Sequence, residues 1–569
     1  MMIHEKTSQR LRDKLSDLYG EAHSGALMER LLALIGDVQQ PPRSRLPLSE
    51  KDVILITYGD QVSASGQPPL ATLHRFLKEA VGQQINTVHI LPFYPYSSDD
   101  GFSVIDYEAV NPELGGWAEI QEMRVDFRLM FDAVFNHISA GSEWFKAFLR
   151  DEPPYDKFFT VVDPGTDLSL VRRPRTLPLL TAFETPSGTK HVWTTFSDDQ
   201  IDLNAANPDV VLELIRILLF YVQQGADLIR LDAIGFLWKT IGTNCIHLPE
   251  THLIIQLMRD VLDIVAPNVM LVTETNVPHD ENISYFGDGY NEAQMVYQFS
   301  LPPLVLHTFH TGDSTALTSW AKTIRRASDQ TTFFNFTASH DGIGVQPARG
   351  ILSEAEIDSL VGLVEAHGGF VSYKNNSDGS RSPYELNINY FDAITNPALT
   401  AADPGLALRR FIASQAIMLA FMGVPGIYFH SVFGSRSHHA GVEATGRYRS
   451  INRQKFTLGE LQAELADKNS LRARIHAAYL KLVEIRTGQP AFHPFGQQTV
   501  LEWGAEVFAL ERRSPDDKQR VLALHSISPD SVTLALPKGN WRDLINGSDH
   551  HDSITLEPYQ VAWLTTGEV

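Results

Sequence analysis

Four short segments of this chain set acids, histidines and an arginine at points where apolar runs end. DAVFNH carries Asp132, Asn136 and His137, IRLDAIG carries Arg230 and Asp232, LVTETN carries Glu274, and ASHDGIG carries His340 and Asp341. Arg230 and Asp232 are two residues apart, so on an extended strand their side chains share a face. Carboxylates and an arginine converging on one face are the set that chemistry at a sugar acetal requires. One carboxylate attacks the anomeric carbon; a second protonates the leaving oxygen and then deprotonates the incoming acceptor. At a separation of about 5–5.5 Å such a pair retains configuration through a covalent intermediate. The neighbouring arginine predicts a carboxylate at Asp232 held ionised, whereas Glu274, as proton donor, needs a raised pKa. A lone acid at a strand end is equally well explained as a salt-bridge partner; the ordered set of them is not.

The elements that must position these residues read as strands alternating with helices. Eight apolar runs are strand candidates: 53–58, 87–93, 129–135, 228–232, 270–274, 295–299, 332–337 and 426–429. Between most of them lie amphipathic stretches, among them LATLHRFLKEAVG, VVLELIRILLFYVQQG, THLIIQLMRDVLDIVA, ALTSWAKTIRRA and LALRRFIASQAIMLA. Eight strands with intervening helices predict an α/β fold, a (β/α)₈ TIM barrel whose strand C-termini carry the chemistry. A doubly wound open sheet is the alternative, but no glycine-rich turn follows the first strand.

The expected organisation is an N-terminal helical extension over 1–49, then barrel segments over 50–138, 200–343 and 398–489. Two insertions interrupt the barrel, a domain B over 139–199 and a loop subdomain over 344–397, both leaving its C-terminal face. Short alternating runs from 490 to 569 (TVLEW, VFALERR, QRVLALHSIS, VTLALP, YQVAWLTT) predict an antiparallel β domain.

Bulk properties exclude several classes. With 569 residues, one large domain plus attachments is expected. The net charge of −21 argues against a broad nucleic-acid surface, though not against a local anion pocket. A single cysteine, Cys245, rules out an intramolecular disulfide and any CxxC zinc site. The N-terminus lacks the apolar core of a signal peptide, and no run of about 18 apolar residues occurs, so neither membrane nor export is expected. A cytoplasmic location and a monomer or homodimer are the simplest expectations. His438 and His439 are adjacent, a spacing that seldom chelates one metal, and no metal site is expected.

Taken together, DAVFNH, IRLDAIG, LVTETN and ASHDGIG resemble the four signature regions of the α-amylase superfamily of glycoside hydrolases. That resemblance implies Asp232 as nucleophile, Glu274 as acid/base and Asp341 as transition-state stabiliser. His137, Arg230 and His340 would then hydrogen-bond the sugar. LPFYPYSSDDGFSVIDY, GTNCIHLP, FSLPPLVLHTF and GRYRSINR further resemble the sucrose phosphorylase group. This implies that Asp100 and Arg453 close a pocket around one glucose, and that inorganic phosphate is the second substrate, with no cofactor. A basic run, VRRPRTLPLL, supplies Arg172, Arg173 and Arg175 as candidates for binding phosphate or a carboxylate, since arginine forks suit such anions.

The N-terminal extension and the segments KHVWTTFSDDQIDLN, FLWKTIGTNCIHLPETH and HGGFVSYKNNSDGSRSPYELNINYFDA look most like glucosylglycerate phosphorylases. Phosphorolysis of 2-O-α-D-glucosylglycerate to α-D-glucose 1-phosphate and D-glycerate is therefore the expected reaction. Tyr384, Glu385 and Asn387 would line the acceptor site. Phosphorylases of sucrose, sucrose 6′-phosphate or glucosylglycerol stay open, and an α-glucosidase-type hydrolase is the remaining alternative.

Overall fold

The computed structural model describes residues 4–38, 47–174, 177–376 and 380–566. All eight strand candidates are strands: β1 (Ile54–Thr57), β2 (Thr87–Ile90), β3 (Arg128–Ala133), β4 (Leu228–Leu231), β5 (Met270–Thr273), β6 (Met295–Tyr297), β7 (Thr332–Asn335) and β8 (Val424–Tyr428). They pair in parallel, in chain order, and the barrel closes where Ile54 of β1 meets both Thr87 of β2 and Gly426 of β8. The strands are buried on both faces, as continuous apolar runs under a coat of helices must be. Gly426 is required because the Phe334 ring fills the barrel interior where a Cβ would stand.

Helices Pro69–Ala80, Pro208–Gln223, Pro249–Val265 and Pro404–Ala420 each begin on a proline, whose fixed φ and missing N–H suit the first turn. The ALTSWAKTIRRA stretch is helical only over Thr315–Ala321. Its end is capped early, because Arg325 donates to the Lys322 and Ile324 carbonyls at 2.7 Å. Two further helices, Trp117–Asp126 and Leu301–Thr311, were not expected; the second begins LPP, which reads as a breaker unless the prolines occupy the first turn.

Both long connections fold into substructures above the strand C-termini. The first is pinched at its base by His137–Ser139 pairing antiparallel with Gln200–Asp202 and contains a hairpin, Leu180–Thr185 with Gly188–Trp193. Its own small core (Val162, Val171, Leu179, Trp193) packs on Cys245, which anchors the insertion to the segment after β4. The second holds a helix, Glu354–Ala366, started by a Ser353–Glu356 capping box, and a sheet of Ile343–Gly344, Phe370–Asn375 and Arg381–Asn387. From Gln497 onward an antiparallel six-stranded sheet and a two-stranded sheet form the C-terminal domain. The N-terminal helices Glu5–Tyr19 and Glu21–Gly36 pack onto the barrel, burying Leu11, Leu15 and Leu31, with Arg10 and Lys14 paired to Asp260 at 3.0 and 2.5 Å.

Candidate active site

The barrel geometry brings the strand-end acids into one cavity, lined by Asp232, Glu274, Asp341, His137 and His340 together with residues of both insertions. Arg230 is the hub. It is buried, and its guanidinium contacts Asp132, reaches Asp232 at 2.8 Å and approaches Glu274 at 3.8 Å. Asp132 does not line the cavity. It lies below, held by Arg230 and by His89 at 2.7 Å, and so anchors the arginine.

Immediately after Asp232 the chain turns left-handed at Ala233 (φ 47°), a conformation that costs a non-glycine residue roughly 1–2 kcal/mol. The turn directs the Ala233 N–H to Glu274 Oε2 at 3.0 Å, so the backbone after one acid holds the other. Burial pushes the Glu274 carboxyl up, as a proton donor needs, with Arg230 opposing.

For Asp232 the expected depression is overturned. Burial, reinforced by the charges of Glu274, Asp132 and Asp341, pushes its carboxyl well above the ordinary range despite Arg230. Arg230 cannot offset that burial because one guanidinium serves three carboxylates, and two of its contacts belong to Asp132 and Glu274.

Asp341 behaves in the opposite way. Burial would raise it, but Arg449 at 2.6 Å, His340 at 3.5 Å and Arg453 at 3.6 Å hold it well below the usual carboxylate range. Burial takes His340 down to about 3, so it is a neutral ring near pH 7, stacked on Phe102 at 4.6 Å. His137 is likewise lowered by burial, and its Nε2 faces the Phe102 carbonyl at 2.9 Å.

Asp100 and Arg453 pair at 2.5 Å, and Arg453 also donates to the His340 carbonyl at 2.9 Å. The turn that carries Asp100 is left-handed at both Asp99 (φ 53°) and Asp100 (φ 50°). Asp99, not Asp100, faces the main cavity; Arg453 lines an adjoining one that shares Asp99, Gln200, Tyr384 and Arg449 with it.

On the acceptor side Tyr384 lines the main cavity, whereas Glu385 and Asn387 do not. Both lie across the strand from Tyr384, as a period of two dictates. Glu385 grips Arg449 at 2.9 and 3.1 Å and accepts from the Gly342 N–H at 3.0 Å, while buried Asn387 bonds Ser372 at 2.9 Å within the sheet. Arg172 and Arg173 both line the cavity; Arg172 is ion-paired to Glu281 at 2.5 Å, and Arg173 donates to the Leu177 carbonyl. Arg175 lies outside the described residues.

A model of the alpha-amylase catalytic domain matches residues 77–346. Glucosylglycerate phosphorylase of Allomeiothermus silvanus is 52% identical over 556 residues, spanning 98% of each chain. That of Escherichia coli is 45% identical across 98% of this chain and 100% of its own. The chain belongs to the α-amylase superfamily, in the group of the glucosylglycerate and sucrose phosphorylases. Among solved structures, sucrose 6F-phosphate phosphorylase from Thermoanaerobacter thermosaccharolyticum matches with a TM-score of 0.74 over 89% of this chain and 99% of its own; at 23% identity this speaks for the fold.

Three cations of this superfamily member were missed in the sequence. Arg449 lies four residues before Arg453 in RYRSINR, so that spacing was its only signal. Lys239 is buried with its ammonium 2.8 Å from Asp202 and 3.0 Å from Asn136, tying the first insertion to the end of β3. Lys374 reaches the cavity from the hairpin of the second insertion. None stands at a strand end, so no local pattern marks them.

Proposed function

We propose that this enzyme phosphorolyses 2-O-α-D-glucosylglycerate with retention of configuration, giving α-D-glucose 1-phosphate and D-glycerate. Near-complete alignment at 45–52% identity with glucosylglycerate phosphorylases is the observation that carries this reading. The geometry supports it. In the first half-reaction Asp232 attacks C1 of the glucosyl unit, the C1–O bond to glycerate breaks, and Glu274 delivers its proton to the departing oxygen. In the second, a phosphate oxygen attacks C1 of the glucosyl-Asp232 ester, Glu274 takes the proton from that phosphate, and the aspartate leaves as carboxylate.

Asp232 must be ionised to attack. Burial is the main cause of its upward shift; protonating Glu274 removes the first of the negative charges that add to it, which favours the ionised form. Asp341 is the carboxylate that stays charged throughout, and its role is to accept hydrogen bonds from ring hydroxyls while positive charge grows at the anomeric centre. Neutral His137 and His340 serve as hydrogen-bonding partners of the sugar rather than as charges. The Asp100–Arg453 pair borders the adjoining cavity next to Asp99, which faces the glucose, and Arg172 and Arg173 supply charge for phosphate or glycerate.

The reaction needs no cofactor; phosphate is a co-substrate. Among the described residues no helix is long and apolar enough to cross a membrane. The proposed setting is the cytoplasm, as monomer or homodimer, where the one thiol, buried Cys245, stays reduced.

The test is a phosphorolysis panel with glucosylglycerate, sucrose, glucosylglycerol and sucrose 6′-phosphate, following glucose 1-phosphate, with Asp232→Asn as control. Turnover chiefly on glucosylglycerate is expected. Turnover chiefly on sucrose would displace the acceptor assignment, and free glucose in place of glucose 1-phosphate would make the enzyme a hydrolase.

A further inference from the structure

The two substrates proposed to meet the glucosyl unit are both anions, yet they differ in shape: phosphate is tetrahedral and mostly doubly charged, whereas glycerate presents one planar carboxylate. The cavity offers cations from two different insertions. Arg172 and Arg173 come from the first, with forked guanidinium groups suited to bidentate contact with phosphate. Lys374 comes from the second, a single ammonium at the cavity wall that donates to Gln346 Oε1 at 2.8 Å.

Among the described residues, Lys374 forms no ion pair, although it is half-buried in the cavity wall. The acid whose charge acts on it, Glu354, is already taken by Arg349. Burial, together with the charges of Arg349 and Arg172, lowers its pKa, so the site carries uncompensated positive potential. Arg349, although paired to Glu354, keeps two buried nitrogens, Nε and Nη2, without a hydrogen-bond partner. A half-buried cation with a neutral amide as its neighbour is stabilised by an arriving anion more than a fully exposed lysine would be.

We propose that Lys374 is the residue that reads the carboxylate of the acceptor, and so sets the preference for glycerate over neutral acceptors. This rests on the phosphorylase reading given above. It lies on the second insertion, in the wall that Tyr384 also lines, so it offers the acceptor a cation from a different segment than the arginine run. A lone ammonium suits a carboxylate as a point charge, and the charge of Lys374 is not needed to bind a glycerol unit.

The experiment compares wild type, Lys374→Met and Lys374→Arg in phosphorolysis of glucosylglycerate and of glucosylglycerol, the same donor without the carboxylate, with KM for phosphate measured in both. Wild type is expected to favour glucosylglycerate. In Lys374→Met its kcat/KM should fall about 100-fold, the scale of a lost charge-assisted contact, while glucosylglycerol turnover and the phosphate KM change by less than about 3-fold. Lys374→Arg should keep most of the preference.

Equal losses on both donors would mean a structural role and overturn the proposal. A raised phosphate KM with glucosylglycerate otherwise unaffected would assign Lys374 to phosphate and overturn it as well. If wild type does not use glucosylglycerate, the phosphorylase reading fails first and this inference falls with it; if wild type uses it and Lys374→Met is unchanged, only this inference fails.

Discussion

Replacing Arg449 by methionine tests how the second insertion is coupled to the proposed transition-state carboxylate. The arginine lies between two acids, with Asp341 at 2.6 Å on one side and Glu385 at 2.9 and 3.1 Å on the other. Glu385 has only 4% of its side chain exposed, so without Arg449 it becomes a buried charge left with one backbone N–H. Breaking such a pair costs about 3–5 kcal/mol; because Arg449 and Asp341 each keep 23% exposure toward the cavity, the lower end, about 3 kcal/mol, is expected. For a chain this long that is roughly a 3 °C loss in Tm, since the shift per kcal/mol shrinks with size.

Activity should fall for a second reason. Asp341 is held below its ordinary pKa with Arg449 as its leading cation, so in the variant its pKa rises and the acid limb of kcat/KM moves to higher pH. The sign for stability agrees. A depressed carboxylate stabilises the fold above its unfolded pKa, about 3.9, and that contribution is lost as pH falls through the folded value. The Tm gap between variant and wild type should therefore be steady near pH 7 and narrow in acid. Arg449→Met/Glu385→Gln removes the orphaned charge and should recover most of the Tm but not the kcat. Calorimetry and a pH–rate profile decide the matter. An unchanged acid limb, or a double variant no more stable than Arg449→Met, would refute the coupling.

Other outcomes follow from the same geometry. Asp232→Asn should lower phosphorolysis by about 10⁴-fold or more, the scale of losing a covalent nucleophile, with no change in fold by circular dichroism. Glu274→Gln should abolish turnover of glucosylglycerate yet still form the glucosyl-enzyme from α-glucosyl fluoride, whose leaving group needs no proton, as mass spectrometry would show. In the wild type, where burial raises Glu274, activity should decline as pH climbs through that raised value, and the basic limb should disappear with the fluoride donor. Lys239→Met leaves buried Asp202 and Asn136 facing each other without their cation and should cost about 3–5 kcal/mol. Limited proteolysis should then cut within 139–199 first, and Lys239→Met/Asp202→Asn should regain much of the loss.

What the sequence determined by itself was everything with local periodicity or a strand-end position. Each barrel strand is buried on both faces, so it must be a continuous apolar run, and all eight were visible as such. The acids had to follow those runs because the C-terminal rim is where a closed barrel leaves space for a ligand. The helix Leu301–Thr311 was hidden because its prolines mimic a breaker, and the end of Thr315–Ala321 because the Arg325 side chain folds back onto the Lys322 carbonyl, a contact apolar periodicity does not show.

Charge states and partners were beyond reach of spacing. Arg230 sits beside Asp232 in the chain, but only the folded barrel buries Asp232 and sets Glu274 and Asp132 around the same guanidinium, which reverses the expected shift. Arg449, Lys374 and Glu385 meet the site from segments far from the barrel strand ends, and the hairpin that carries Lys374 and Glu385 shifts register between Ser372 and Tyr373. Electrostatics sums over all neighbours within a few ångströms, and neighbours from distant segments exist only once the chain is folded.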